Sequence, residues 1–360
     1  MANILILGGT GWLGRSVAGL ALASGHAVTA LARGESGDFP EGATAVVLDR
    51  DKAGRDEVGR NKSGGRAVGY SQVAGQDWDL GVELTRFPAH ARDALEALSP
   101  QARNWVFVSS CSVYADHATP EAREDAPLLD PLGPGEEYSP ELYGEAKSGC
   151  EQLTLAARGG AALLVRAGLI GGPGDPTGRS TYWPLRMADP GGPVLEPADD
   201  GPNYPQHVQL VDVRDLADFV LAAGLGGHTG AVNAVGRLVP LTDALAAARE
   251  AAHSQSWLAA HAEPRMVPYT ISAMADDGVA PWSGPRSLPL VLPAETEYAG
   301  FARRSDARAL ELGLHRRPLA DTFRDIIAAC DPWAGRQLAS GLSAADEASL
   351  VAGLDGRREN

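Results

Sequence analysis

Asn3-Ile-Leu-Ile-Leu-Gly-Gly-Thr-Gly-Trp-Leu-Gly14 is the stretch of sequence that decides the fold. Its first five residues are a largely apolar run of strand length that ends at a glycine, which is typical of a buried parallel strand. Glycines then recur at positions 8, 11 and 14. This spacing permits a tight turn, the close approach of a pyrophosphate, and close packing of a helix on the strand. The pattern predicts a strand, a phosphate-binding turn and a helix that ends before Gly25; a merely tight turn is the alternative.

Strand-like and helix-like segments alternate after this turn. Helices are predicted over 89–98 and around 143–147, and further strands over Ala27–Ala32, Ala45–Leu48, Asp79–Leu84, Asn104–Ser109 and Ala161–Arg166. Such alternation builds βαβ units, so we predict an α/β fold with a Rossmann-type, doubly wound parallel sheet. The segment 50–76 is rich in glycine and basic residues, has little periodicity, and supports no structural prediction.

The run Gly171-Gly-Pro-Gly-Asp-Pro176 interrupts the alternation. Because such a run breaks regular structure, it marks the start of a second unit. We predict a Rossmann-type domain over 1–170, to which elements near 208–235 return, and a smaller C-terminal α/β substrate lobe over 171–342. Residues 343–360 are expected to form a C-terminal helix and a tail.

The amino-acid composition indicates which kinds of binding partner the protein is expected to have. The 360 residues carry a formal charge of -15, which argues against nucleic acid and anionic membranes as partners, since both need a basic surface. The three cysteines form no C-x-x-C pair, and no signal peptide or membrane-spanning run is evident, so we expect a cytoplasmic protein. No histidine has another ligand at metal-binding spacing, so no metal site is predicted.

Tyr143 and Lys147 lie four residues apart, and therefore on one face of a helix. A phenol becomes a useful acid or base near neutral pH only if its phenolate is stabilised, and an ammonium group one turn away can do this. The spacing alone is common on exposed helices. The serine pair Ser109-Ser110, at the end of an apolar strand, and the N-terminal glycine turn make it informative.

Together these stretches resemble the extended branch of the short-chain dehydrogenase/reductase superfamily, the NAD-dependent epimerase/dehydratase-like proteins. The resemblance covers most of residues 1–220. The stretches that carry it are Gly8–Gly14, Val106–Tyr114, Tyr143–Lys147, Arg166–Pro173 and Val211–Ala217, with a further likeness at Arg308–Leu319.

The resemblance implies a role for each matching residue. Tyr143 would be the catalytic acid or base, Lys147 would hold the nicotinamide ribose and stabilise the phenolate, and Ser110 would hydrogen-bond the reacting oxygen. Ser109 is the alternative, and satisfied strand-end hydroxyls are a third reading. The implied cofactor-binding residues are Gly8, Thr10, Gly11, Trp12, Leu13, Gly14, Arg33, Asp49, Thr85, Ser109, Tyr143, Lys147, Gly168 and Ile170.

Arg33 bears on which dinucleotide binds. It directly follows the second predicted strand, where an acidic residue holds the ribose 2′-hydroxyl of NAD and an arginine accommodates the 2′-phosphate of NADP. NADP is therefore favoured, with NAD as the alternative. Asp49, after the third strand, either contacts the adenine or begins a loop.

Departures from the family pattern limit the reactions and substrates that the sequence favours. Cys111 and Ser112 occupy the places where dehydratases carry an Asp-Glu pair, and Leu169 stands where many nucleotide-sugar enzymes place an asparagine. Dehydration and a diphospho-sugar substrate are therefore disfavoured. Tyr182, Trp183 and Arg186 are candidates for an aromatic substrate wall with an anion-binding group, although packing of the second lobe explains the aromatics equally well.

The sequence thus predicts an NAD(P)-dependent oxidoreductase that transfers hydride to or from a carbonyl or alcohol carbon of a small organic molecule. A nucleotide-sugar epimerase, which oxidises its substrate transiently, is the alternative. A non-catalytic nucleotide-sensing or RNA-associated member of the superfamily is a second alternative. The family resemblance makes a homodimer plausible.

Overall fold

The computed structural model describes residues 1–52, 67–188, 191–198, 205–254, 264–330 and 338–358. Its strands are β1 (Asn3–Leu7), β2 (Ala27–Ala32), β3 (Thr44–Val47), β4 (Trp78–Glu83), β5 (Ala102–Ser110), β6 (Leu163–Ala167), β7 (Leu169–Gly171), β8 (Val194–Ala198), β9 (His207–Val208), β10 (Leu210–Asp212), β11 (Gly230–Ala234), β12 (Val239–Pro240), β13 (Met266–Thr270), β14 (Ala280–Trp282) and β15 (Ser287–Pro289). Its helices are α1 (Trp12–Ala23), α2 (Pro88–Leu98), α3 (Tyr143–Arg158), α4 (Tyr182–Ala188), α5 (Val213–Leu225), α6 (Leu241–His253), α7 (Ile271–Asp276), α8 (Ala307–Glu311), α9 (Leu319–Ala329) and α10 (Ala344–Arg358).

Seven parallel strands form the main sheet, in the spatial order β11-β6-β5-β4-β1-β2-β3. The order reverses beside β1, because the chain adds β2 and β3 on one side and β4, β5 and β6 on the other. This reversal is the point where ligands bind in doubly wound sheets. The predicted Rossmann-type parallel sheet is confirmed.

Alternate residues of β1 face opposite helical layers, as the two-residue period of a strand requires. Ile4 and Ile6 share a buried apolar cluster with α1 and α5, and Leu5 and Leu7 share another with α2. Helix α3 packs beside α2 on that second side. Because both faces are covered, the central strands are largely apolar and buried, whereas the edge strand β3 exposes three of its four residues.

The C-terminal lobe has a separate apolar core. Helices α4, α6 and α9 pack together there, beside the parallel pair β8–β13. Strand β11 lies in the main sheet beside β6, and β10 pairs with β7 outside it. The chain therefore crosses between the lobe and the main sheet more than once.

Two further observations concern the described part of the chain. None of its helices is both long enough and apolar enough to cross a membrane. It holds no cluster of three or more histidine, cysteine or acidic side chains suited to a metal ion. Residues 53–66, most of the glycine-rich basic segment, lie outside the described residues.

Candidate active site

Two adjoining cavities lie at the carboxyl edge of the main sheet. The first cavity, of about 440 Å³, runs along the ends of β1, β2, β3, β4 and β5. The second cavity, of about 480 Å³, lies between the end of β5 and the C-terminal lobe. Four residues line both: Trp12, Ser109, Tyr143 and Ile170. A ligand in the first cavity would therefore meet a ligand in the second at the side chain of Tyr143.

The turn after β1 has room for backbone but not for side chains. Gly8 has φ +100°, in the left-handed region that favours glycine. A Cβ atom on Gly14 would lie 2.2 Å from the carbonyl oxygen of Gly8. Gly11 caps α1 without a side-chain bond, so the free N–H groups of the first helical turn lie beside the first cavity. This cradle fits the pyrophosphate of a dinucleotide.

Lys147 is buried and held in place by the main chain. Its Nζ donates hydrogen bonds of 2.7 Å to the carbonyl oxygens of Thr85 and Val108, and lies 4.8 Å from the centre of the Phe107 ring. An ammonium group has three N–H donors. The third has no hydrogen-bond partner within the described residues and is available to a ligand hydroxyl in the first cavity.

Tyr143 is the first residue of α3, and its side chain reaches the boundary between the cavities. Its hydroxyl makes no hydrogen bond to the described part of the chain. One helical turn separates it from Lys147. The structure therefore places a free phenol and an anchored cation on the same face of one helix, at the same opening.

The two serines of the β5 end differ in their partners. Ser110 Oγ accepts a bond of 3.1 Å from the Ser112 backbone N–H and lies 3.1 Å from the Ser112 hydroxyl. Ser109 Oγ is buried and has no hydrogen-bond partner among the described residues. Both serines line the second cavity, and Ser109 also lines the first. The structure thus brings both candidates to Tyr143, and Ser109 has the unsatisfied hydroxyl.

Arg33 directly follows β2 and lines the first cavity. Its guanidinium is 3.4 Å from a Glu35 carboxylate oxygen and 3.3 Å from one of Asp51, and all three side chains are exposed. Asp49 does not line this cavity; its carboxylate instead pairs with Lys52 at 3.0 Å. Of the two interpretations of Asp49, its position fits the loop one.

Sequence reasoning missed Arg50, which lines the first cavity, and its ion-pair partner Glu83. Arg50 lines the cavity and forms a buried ion pair with Glu83, whose side chain is 1% exposed. Burial opposes the charge on Arg50, but Glu83 and the Tyr70 hydroxyl outweigh it and raise the pKa of Arg50. The available signal was Glu83 itself, because a carboxylate directly after an apolar run inside a predicted strand requires a cationic partner.

The remaining cofactor candidates fall at the same opening. Thr10, Leu13 and Thr85 line the first cavity, Ile170 lines both, and Gly168 lines the second.

Tyr182, Trp183 and Arg186 do not line either cavity. Trp183 is fully buried and donates a bond of 2.5 Å from Nε1 to the Pro289 carbonyl oxygen, and Tyr182 packs against it. Arg186 pairs with Glu347 at 2.5 Å. The structure does not bring these three residues to Tyr143, and packing of the lobe accounts for the two aromatic rings.

Cys111 lines the second cavity, next to Ser110. Burial raises the pKa of its thiol to about 12, despite the nearby Arg304 and Arg166 cations. A thiol that stays protonated is a poor nucleophile. Covalent catalysis through Cys111 is therefore disfavoured.

No protein-family model matches the sequence, and no curated protein matches it. Solved structures do match in fold. The Bordetella bronchiseptica enzyme WbmH, in complex with NAD+, has a TM-score of 0.59 at 16% identity, covering 91% of this chain and 98% of that one. UDP-glucuronic acid 4-epimerase from Bacillus cereus, in complex with NAD, has a TM-score of 0.56 at 15% identity, covering 90% of this chain and 96% of that one. UDP-glucose 4-epimerase from Thermotoga maritima, with UDP-glucose, has a TM-score of 0.57 at 17% identity, covering 91% of this chain and 98% of that one.

At such low identity, this likeness concerns the fold. The predicted resemblance is confirmed at the level of the fold, since solved structures that include two 4-epimerases share the fold over 90% and 91% of this chain.

Proposed function

We propose that this chain, which has the fold of the extended short-chain dehydrogenases/reductases, is a nicotinamide dinucleotide-dependent oxidoreductase. The observation that carries the proposal is the position of Tyr143 at the junction of the two cavities, one helical turn from the anchored Lys147. A bound nicotinamide dinucleotide would supply the hydride donor or acceptor. The protein would supply the proton and the geometry.

Each residue at the junction has a separate task. Tyr143 gives a proton to a carbonyl oxygen during reduction, or takes one from a hydroxyl during oxidation. Ser110 or Ser109 holds that oxygen by a hydrogen bond. Lys147 holds the ribose hydroxyls with its remaining N–H and stabilises the phenolate form of Tyr143 by its positive charge. The main-chain carbonyls that fix Lys147 keep this charge in place between turnovers.

NADP is the proposed cofactor, with NAD as the alternative. Arg33 lines the first cavity, in which the adenosine of the dinucleotide would bind. Its pairs with Glu35 and Asp51 are exposed, so they contribute little and leave the guanidinium available to a 2′-phosphate. NAD gains support from the fold relatives that are described in complex with it.

The proposed reaction is a redox change at a carbonyl or alcohol carbon of a small organic substrate. The residues after Ser110 provide no carboxylate pair for dehydration, since they are Cys111 and Ser112. Nucleotide-sugar epimerisation is the second candidate, because fold relatives are described as 4-epimerases. Leu169, which lines the second cavity, weighs against it, since leucine donates no hydrogen bond to a diphosphate.

The test is a turnover experiment with purified protein, in which NADPH or NADH is paired with a panel of ketones, aldehydes and oxo acids, and NADP+ or NAD+ is paired with UDP-glucose. Loss of the reduced-nicotinamide absorbance, matched by an equal amount of alcohol, supports the proposed reductase. A sugar epimer formed without net change in the cofactor overturns it in favour of the epimerase. Tight cofactor binding without any turnover favours the nucleotide-sensing alternative.

A further inference from the structure

The loop between β7 and α4 projects one arginine, Arg179, into the second cavity. Its Nε donates a hydrogen bond of 3.1 Å to Thr177 Oγ1, and that hydroxyl in turn donates one of 2.7 Å to Asp175. The other carboxylate oxygen of Asp175 accepts bonds from the backbone and side chain of Ser180. Asp175 therefore braces the loop, and the loop orients Arg179.

In the part of the chain that the structure describes, the charge of Arg179 has no adjacent counterion. Within the described residues no carboxylate oxygen lies within 4 Å of its guanidinium, and its terminal nitrogens make no hydrogen bond. Burial lowers the pKa of Arg179, and the more distant Asp175 and Tyr143 oppose this only in part. A cation that is partly withdrawn from water without a partner favours the binding of an anion.

Trp282 holds the guanidinium from the other side. Arg179 lies 5.2 Å from the centre of the Trp282 ring, in the range of a cation–π contact. Trp282 has φ +70°, as does Leu290, which also lines this cavity. Non-glycine residues rarely adopt this conformation, and they cluster where a ligand site is held in a defined shape. The backbone strain thus coincides with the wall that positions Arg179.

Besides Arg179, the described lining of the second cavity includes one acidic residue, Asp175, whose carboxylate oxygens already accept hydrogen bonds from Thr177 and Ser180. Arg179 is the only lysine or arginine among its described lining residues, and much of the remaining wall is apolar, with Leu169, Val208 and Phe301. Burial and the Arg303 cation lower the pKa of His207, so that imidazole is neutral near pH 7. A ligand with a single negative charge suits such a wall better than a diphosphate.

We propose that Arg179 binds the carboxylate of the substrate, so that the substrates are oxo acids and the corresponding hydroxy acids. This inference rests on the proposed function, since it places the reacting carbonyl of the same molecule at Tyr143. The two terminal N–H groups of a guanidinium match the two oxygens of a carboxylate. Held in this way, the acid group would direct the rest of the molecule towards the junction of the cavities.

Calorimetric binding of matched acids and amides tests the inference without turnover. The probes are phenylglyoxylate, phenylpyruvate and 4-oxo-4-phenylbutyrate, each compared with its primary amide, on protein saturated with the dinucleotide that it binds. We expect at least one acid to bind about tenfold or more tightly than its amide, as a hydrogen-bonded charge contributes. Arg179→Gln should abolish this preference, and Arg179→Lys should retain part of it.

Arg324→Gln is the matched control, because Arg324 lies on α9 outside both cavities, and it should keep the wild-type preference. The inference is overturned if no acid is preferred over its amide, if none of the acids binds, or if the preference survives in Arg179→Gln with an unchanged melting temperature. An Arg179-dependent preference without hydride transfer would support the carboxylate site and overturn the oxidoreductase. Hydride transfer without such a preference would overturn the carboxylate site alone.

Discussion

Arg50 and Glu83 form a bidentate ion pair at the base of the first cavity, with N–O distances of 3.0 and 2.7 Å. The same Glu83 carboxylate accepts a bond of 2.9 Å from the Thr85 backbone N–H, and the Thr85 carbonyl oxygen accepts one of 2.7 Å from Lys147. The ion pair therefore stabilises the segment that anchors Lys147. The pair matters for stability mainly because removing either partner would leave the other charge buried without a counterion.

Glu83→Gln should lower the free energy of unfolding by about 3–5 kcal/mol, because it leaves Arg50 buried without a counterion. Asp321→Asn is the control. It removes an exposed partner of Arg324, and should cost only about 0–1 kcal/mol. Urea unfolding of the two variants measures the difference. Equal losses would mean that the buried pair has no special structural weight.

Three glycine-to-alanine variants test the turn after β1. Gly14→Ala should destabilise the protein and abolish dinucleotide binding, because its Cβ would lie 2.2 Å from a carbonyl oxygen. Gly11→Ala meets only the Gly8 carbonyl oxygen, at 3.3 Å, so it should fold yet bind the dinucleotide more weakly. Gly19→Ala, in the same helix, has no atom within 4 Å of its Cβ and should stabilise by up to about 1 kcal/mol.

Unfolding and cofactor titration of these variants provide the measurement. If Gly14→Ala behaves like Gly19→Ala, the close approach of α1 to the turn is not needed for binding.

Arg33→Gln tests the choice of dinucleotide. Loss of the guanidinium should weaken NADP+ binding by about tenfold to a hundredfold, the range of a hydrogen bond to a charged group, and leave NAD+ binding nearly unchanged. Fluorescence titration with both dinucleotides measures this. Arg92→Gln, on α2 and away from the cavity, serves as the control. Tighter NAD+ than NADP+ binding in the wild type would transfer the assignment to NAD.

The buried thiol of Cys150 should make the stability of the protein depend on pH above pH 9. Burial raises the pKa of its thiol from its ordinary value of 9.0 to about 12. Between these two values the folded state keeps the Cys150 proton, whereas the unfolded state loses it. The contribution of this thiol to the free energy of unfolding is therefore complete below pH 9 and is lost as the pH rises towards 12. The free energy of unfolding should fall by up to about 1.4 kcal/mol per pH unit for this one group.

Cys150→Ala should be less stable at pH 7 because of the cavity that it leaves, but its stability should fall less steeply between pH 9 and 11. Unfolding curves at several pH values compare the two slopes. Identical slopes would show that the thiol does not titrate differently in the folded protein.

Local patterns predicted the elements whose sequence signals lie within one segment. The glycine turn and β1 follow from twelve consecutive residues, and β2 has the predicted bounds Ala27–Ala32. The pairing of Tyr143 with Lys147 needed only the helical period. In each case the decisive contacts are local, so a sequence displays them directly.

Contacts between distant segments account for what was missed. Arg50 belongs to a glycine-rich stretch with no clear period, and its partner Glu83 lies beyond a long connection. Arg179 and Arg186 both follow the glycine–proline break, and only the fold shows that Arg179 lines the second cavity whereas Arg186 binds Glu347. Burial and ion pairing of this kind depend on tertiary packing, which the periodicity of a sequence does not indicate.

The proton-transfer role of Tyr143 is the central claim, and deuteride transfer tests it most directly. Wild-type protein, Tyr143→Phe and Tyr138→Phe are each given C4-deuterated NADPH and a substrate identified in the turnover panel, and product deuterium is followed by mass spectrometry. Tyr138 is a suitable control, because it lies just before α3 and lines neither cavity. The account predicts that Tyr143→Phe binds NADPH normally but transfers deuteride about 10²–10⁴-fold more slowly, the usual contribution of a general acid, while Tyr138→Phe matches wild type. Deuteride transfer at the wild-type rate in Tyr143→Phe would contradict it.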